Sequence, residues 1–127
     1  MEKYSFLTSI YKNTKVDEME ECVDSMVNQT VPPEQIVVVI DGEIPQELKD
    51  YVFSLAEKTP SLYTIVPLKK NMGLGLALRE GMEYCRNEIV ARMDTDDICE
   101  LDRCEKQLKI FEEDKSVSIV GSNIEEF

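Results

Sequence analysis

The sequence predicts an α/β domain of three layers, a mainly parallel sheet between helices, and three observations lead there. Candidate strands alternate with candidate helices in the order β-α-β-α-β-α-β-α-β. One strand candidate, Gln35 to Ile40, runs through Ile and Val with no polar alternation, the pattern of a strand covered on both faces. A length of 127 residues with 43% apolar side chains supplies one core and one domain, spanning residues 1–127.

Ser5 to Tyr11 is short and rich in β-formers, and makes the first strand. After Asn13 and Thr14, the residues Met19, Cys22, Val23, Met26 and Val27 fall on one helical stripe, and Thr14 with Asp17 can close a capping box. Pro32 and Pro33 forbid continuation, and the second strand follows. Leu48, Tyr51, Val52 and Leu55 define a second helix ending before Pro60, and Tyr63 to Val66 a third strand. Leu74, Ala77, Leu78, Met82 and Cys85 suggest a third helix opening near Gly73, ahead of a fourth strand at Glu88 to Met93. Leu101, Cys104, Leu108 and Phe111 mark a fourth helix, and Val117 to Val120 a fifth strand. Crossovers between parallel strands should be right-handed. No internal repeat, linker or low-complexity tract interrupts this order.

Composition removes several function classes. With 26 acidic against 14 basic residues the formal charge is −12, which disfavours wrapping nucleic acid or lying on a membrane through basic residues. The absence of histidine excludes a His-based triad, an imidazole base and a mixed Cys/His zinc site. Cys22, Cys85, Cys99 and Cys104 contain no C-x-x-C pair and read as packing or surface thiols. The longest apolar run, Ile36 to Ile40, is far short of the roughly 20 residues that span a bilayer. The start, Met1 to Tyr4, lacks a signal-peptide core, so a cytoplasmic chain without a transmembrane segment is expected.

In open parallel sheets, ligands bind outside the carboxyl ends of the strands, so the informative residues are those just after each apolar run. These are Ser9 and Tyr11, then Asp41 and Gly42, then Lys69, Lys70, Asn71 and Gly73, and finally Asp94, Thr95, Asp96 and Asp97. The last group packs three carboxylates into four residues; a shared cation relieves their repulsion, and oxygen ligands suit Mg²⁺ or Mn²⁺. The plainer reading is an acidic turn capping the fourth helix. Asp41 can accept from a base N–H or a ribose hydroxyl, or can belong to an ordinary Asp-Gly turn. Asn71-Met72-Gly73-Leu74-Gly75 looks like a phosphate cradle at a loop-to-helix junction, with Lys69, Lys70 and Arg79 as nearby cations. Arg92 shares a strand face with Asp94 and is either the ion-pair partner of one of the acidic residues or a diphosphate contact. Tyr11 can stack on a base or simply pack.

Together these segments resemble the inverting family-2 glycosyltransferases of the GT-A fold. The resemblance rests on Ser5 to Tyr11, Asn28-Gln29-Thr30 before the Pro-rich turn, Ile36 to Gly42, Asn71 and Gly73, Gly81, and Ala91-Arg92-Met93-Asp94-Thr95-Asp96-Asp97 with Asp102-Arg103 and Glu105-Lys106-Gln107. It covers nearly the whole chain and is closest to bacterial enzymes that build surface polysaccharides and exopolysaccharides. It implies a Rossmann-like donor-binding part that holds a nucleotide-diphosphate sugar, commonly UDP-linked, with Mn²⁺ or Mg²⁺. By position, Ser9 and Tyr11 would contact the nucleoside, Asp41 the base, and Asp94 the ribose or metal, with Thr95 beside it and Asp96 as principal metal ligand. The backbone around Asn71 and Gly73 would line the nucleotide pocket. Where the family usually has Asp-Asp-Gly-Ser this chain has Ile40-Asp41-Gly42-Glu43, and Arg79 stands where a second Asn is common.

Members of that family need a second half that binds a saccharide or lipid-linked acceptor and supplies the carboxylate base. No general base is identifiable here, so the expectation is a chain truncated at its C-terminus, inactive alone, from an enzyme peripheral to the inner face of the membrane. Two rivals remain. One is a non-catalytic doubly wound interaction module, which could form a homodimer through surface meant for the missing half. The other is a phosphatase of the haloacid-dehalogenase type, in which Asp94 is the nucleophile and Asp96 the acid.

Overall fold

Four strands and three helices alternate along residues 3–93, which with residue 104 are the part of the chain that a computed structural model describes. The elements are β1 (Tyr4–Ile10), α1 (Val16–Val27), β2 (Gln35–Ile40), α2 (Gln46–Lys58), β3 (Tyr63–Pro67), α3 (Leu74–Met82) and β4 (Ile89–Arg92). The sheet order is β3-β2-β1-β4 and every pairing is parallel. β2, flanked on both sides, is buried at all six positions, as its unalternating sequence requires. β3 closes one edge and ends on Pro67, which has no N–H to leave unpaired there.

Side chains alternate between two packed faces. Phe6, Ile10, Ile36, Val38 and Ile40 meet Met19, Cys22, Val23 and Met26 of α1 and Leu48 and Val52 of α2. Leu7, Val37, Val39 and Val90 point the other way, onto Ala77 and Leu78 of α3. The three layers expected from the sequence are therefore present. α3 rides close to the sheet: a Cβ on Gly81 would lie 2.6 Å from both Leu7 Cδ1 and Val39 Cγ2, so only glycine fits without displacing them.

The amino ends of the strands are tied by a polar network. Gln35 is buried, yet its Oε1 accepts from Ser5 Oγ (2.9 Å) and the Arg86 N–H (2.8 Å), while its Nε2 donates to Thr64 Oγ1 (2.8 Å) and the Tyr84 carbonyl (2.9 Å). Asn87 Nδ2 donates to Ser5 Oγ (3.0 Å) and Glu34 Oε1 (2.7 Å), and Arg86 pairs with Glu34 at 3.0 Å. At the far end of α1, Gln29 is also buried; its Nε2 donates to the Ser25 carbonyl and its Oε1 accepts the Cys104 N–H at 3.1 Å.

Three local expectations need correction. The capping box does not form: α1 begins after Lys15 with no side-chain cap, Thr14 Oγ1 accepts the Tyr11 N–H instead, and Asp17 Oδ1 accepts the Glu18 N–H. Leu74 is half exposed rather than core-facing, because residues 73–76 are all exposed and the first turn of α3 has no sheet over it. α3 ends at Met82, so Cys85 lies beyond it, half-buried with its Sγ 3.6 Å from the Gly81 carbonyl. Burial pushes the Cys85 thiol up to about 11. Cys22 and Cys104 are buried thiols in the core, in keeping with a packing role. The fifth strand at Val117 to Val120, and the fourth helix apart from the buried, helical Cys104, lie outside the described residues. No described helix is long and apolar enough to cross a membrane.

Candidate functional site

The chain moves outward from β1 through β2 to β3, then returns over the opposite face through α3 and places β4 on the other side of β1. In sheets of this kind ligands are held at the carboxyl ends of the strands on either side of such a reversal, here β1 and β4. The loops after β1, β2 and β3 issue at this rim, which is why residues distant in sequence meet there.

β1 delivers Ser9, half-buried and in register with Val39, and then Tyr11, 44% exposed at the strand end. A tight turn fixes Tyr11: the Thr14 N–H donates to its carbonyl at 3.0 Å while its own N–H reaches Thr14 Oγ1 at 3.1 Å. β2 continues one residue further, since the Asp41 N–H donates to the Ile10 carbonyl at 2.8 Å. The next residue, Gly42, turns the chain at φ +87°, and a Cβ there would sit 2.7 Å from the Asn71 nitrogen. Glycine is thus required twice over, for the dihedral and for the passage of the loop.

Asp41 is 3% exposed. Its Oδ1 accepts the Met72 N–H at 2.7 Å and its Oδ2 the Gly73 N–H at 3.1 Å; Asn71 Nδ2 donates back to the Asp41 carbonyl at 3.3 Å. The glycine-loop residues Asn71 and Gly73 are exposed, and Gly73, at φ +88°, starts α3 without a side-chain cap. On the other side of β1, Arg92 pairs in register with Leu7, on the α3 side of the sheet, half-buried, and the Met93 N–H donates to the Leu7 carbonyl at 3.0 Å.

Of the residues singled out in the sequence, the structure brings Ser9, Tyr11, Asp41, Asn71 and Gly73 to one rim, with Arg92 on β4, the strand beside β1. Arg79 is not brought there; it is exposed in the last turn of α3, off the buried face of Ala77, Leu78 and Gly81. Asp94, Thr95, Asp96 and Asp97 lie outside the described residues. Among the described residues no group of His, Cys, Asp and Glu side chains is placed to hold a metal ion. What the sequence did not announce is the partnership of Asp41 with the backbone of residues 72 and 73. Its only trace is an Asp-Gly pair ending β2 and an Asn-x-Gly opening α3.

With this geometry in hand, the chain matches the family model described as glycosyl transferase family 2 over residues 5–127. It is 42% identical over 124 residues to the amylovoran biosynthesis glycosyltransferase AmsE of Erwinia amylovora, covering 98% of this chain and 46% of that protein. It is 33% identical over 128 residues to the UDP-Gal:alpha-D-GlcNAc-diphosphoundecaprenol beta-1,3-galactosyltransferase of Escherichia coli, covering 98% of this chain and 45% of that protein. The chain therefore spans about half the length of these curated relatives. Among solved structures, the mannosyltransferase PcManGT from Pyrobaculum calidifontis in complex with GDP-Man and Mn²⁺ superposes with a TM-score of 0.75 at 22% identity, over 87% of this chain and 32% of that one. S. aureus TarS in complex with UDP gives 0.72 at 21% identity, again over 87% and 32%.

Proposed function

Because the chain belongs to glycosyl transferase family 2, we propose that it is the donor-binding part of a transferase that moves a sugar from a nucleotide diphosphate, UDP-linked, to a saccharide or lipid-linked acceptor with inversion. The observation that carries this reading is the convergence of Ser9, Tyr11, Asp41, Asn71 and Gly73 at the carboxyl ends of parallel strands beside the β1/β4 reversal. Relatives named for amylovoran biosynthesis and for galactosyl transfer to GlcNAc-diphosphoundecaprenol support a role in polysaccharide biosynthesis, and the GDP-Man, Mn²⁺ and UDP complexes of the solved neighbours support a nucleotide-sugar donor and a divalent ion. The relatives' greater length supports a further acceptor-binding segment carrying the base. The proposed location is the cytoplasm, at the inner face of the membrane.

In this reading Tyr11 offers an exposed ring at the end of β1 for a base to stack on. Ser9 and the loop of Asn71 and Gly73 line the nucleotide, and Arg92 on the β4 side balances diphosphate or its acidic neighbours. Arg79, exposed in the last turn of α3, is left out of the donor contacts in this reading. Asp94 and Asp96, with Thr95 between them, would hold Mn²⁺ or Mg²⁺; oxygen-only donors suit either ion. When bound, the ion would take up charge developing on the leaving diphosphate.

The test is thermal unfolding of the 127-residue chain with UDP and Mn²⁺. Ligand at a hundred times its dissociation constant should stabilise by about 2.7 kcal/mol. Asp96→Ala should abolish the metal-dependent part while leaving the unliganded midpoint nearly unchanged. Absence of any shift at millimolar ligand would favour the interaction module. The phosphatase reading needs the acidic motif on the first strand, whereas β4 is the fourth.

A further inference from the structure

We propose that Thr14 is a positioning residue for the donor base, acting through Tyr11: its hydroxyl holds the backbone from which the Tyr11 ring projects. The inference rests on the donor-site reading above and deepens it. Both backbone polar groups of Tyr11 are bound by this one residue. The Thr14 N–H donates to the Tyr11 carbonyl at 3.0 Å, closing a turn over residues 11–14, and the Tyr11 N–H donates to Thr14 Oγ1 at 3.1 Å. The residue before Tyr11 is fixed as well, since the Ile10 carbonyl accepts the Asp41 N–H at 2.8 Å. The direction of the hydroxyl is informative. Thr14 carries the hydroxyl nearest the start of α1, where such a group commonly accepts an N–H from the first helical turn. It turns back towards β1 instead, and α1 starts at Lys15 with no side-chain cap. Helix stability is thus given up, and what is gained is a fixed Tyr11. The Tyr11 ring is 44% exposed, so core packing does not set its place. An exposed ring that must receive a base binds more tightly when its backbone is already in position, because less freedom is lost on binding.

The same geometry explains why Thr at this position is not interchangeable with any residue of its size. A side chain of equal shape without an acceptor oxygen leaves the Tyr11 N–H without its partner and leaves the turn on one bond.

Positioning of the ring is separable from general support of the loop. If Thr14 acts through Tyr11, removing its hydroxyl matters only while the ring is present. The experiment uses the 127-residue chain as wild type, Thr14→Val, Thr14→Ser, Tyr11→Ala and the pair Tyr11→Ala with Thr14→Val. The probe is UDP with Mn²⁺ in calorimetry, beside ¹H–¹⁵N spectra of the unliganded chain. Thr14→Val keeps the shape and loses the acceptor; it should weaken UDP about threefold to tenfold and move the Tyr11 amide proton upfield. Thr14→Ser keeps the acceptor and should stay within about twofold of the wild type. Tyr11→Ala should weaken UDP about tenfold or more, and adding Thr14→Val to it should cost less than about twofold further. An unmoved Tyr11 amide, wild-type affinity in Thr14→Val, no rescue by serine, or losses that multiply in the pair would overturn the proposal. Unchanged affinity in Tyr11→Ala would overturn it too, while leaving the donor reading in place. If the wild-type chain binds no UDP, the donor reading falls and takes the base-positioning role of Thr14 with it, and the Tyr11 amide shift still reports whether the turn is held.

Discussion

Glu34 joins the start of β2 to the segment before β4, and its carboxyl is held below the ordinary range chiefly by the Asn87 amide, which outweighs the opposing pull of desolvation, with Arg86 adding to the lowering. A carboxyl lowered only in the folded chain adds stability above its unfolded value and loses it as pH falls through the folded one. Stability should therefore drop below about pH 4.5 by more in the wild type than in Glu34→Gln. The side chain is a third exposed, so the difference should stay under about 1 kcal/mol. Urea midpoints between pH 6 and pH 3 measure it, and parallel curves would deny Glu34 the role. At this scale the sequence was least informative. Gln35 reads as one polar residue spoiling an apolar run, yet it satisfies four partners from three other segments. Asp41 reads as an acceptor for a base or ribose or as a turn residue, yet its carboxylate oxygens accept backbone N–H groups 31 and 32 positions away. Neither partnership has a local signature, because hydrogen bonds across a sheet depend on which ends are brought together.

Elements were far more legible. β2 has the bounds its apolar run gave, and β1, β3 and β4 differ from expectation by a residue or so at their ends. α1 and α2 bury Met19, Cys22, Val23 and Met26, and Leu48 and Val52, as the 3.6-residue period demanded. Period predicts a face, and it fails where the neighbouring layer stops, as at Leu74. It also cannot give the distance between layers, which at α3 is set by Gly81. Gly81→Ala should be net destabilising by about 1 kcal/mol or more in chemical denaturation. Alanine's better helix propensity, up to about 1 kcal/mol, offsets part of the overlap with Leu7 and the stiff Val39. A variant as stable as the wild type would mean that α3 can lift from the sheet at no cost.

At the scale of the molecule, a formal charge of −12 on 127 residues makes the folded chain repel itself. Raising NaCl from about 10 mM to about 150 mM shortens the screening length from ~30 to ~8 Å and should raise the thermal midpoint. A falling midpoint would instead mark attractive pairs, such as Arg86 with Glu34, as the dominant electrostatic contribution. The alternation of strand and helix, the two-faced burial of β2, and the gathering of polar residues after each strand were all written in the sequence, because periodicity and composition are local properties of the chain. Strand order was not. That β4 lies beside β1 rather than β3, that α3 alone among the described helices crosses on its face, and that Asp41 closes on residues 72 and 73 were decided only when the layers packed. Those contacts join residues dozens of positions apart, and their energy exists only once the intervening chain has folded.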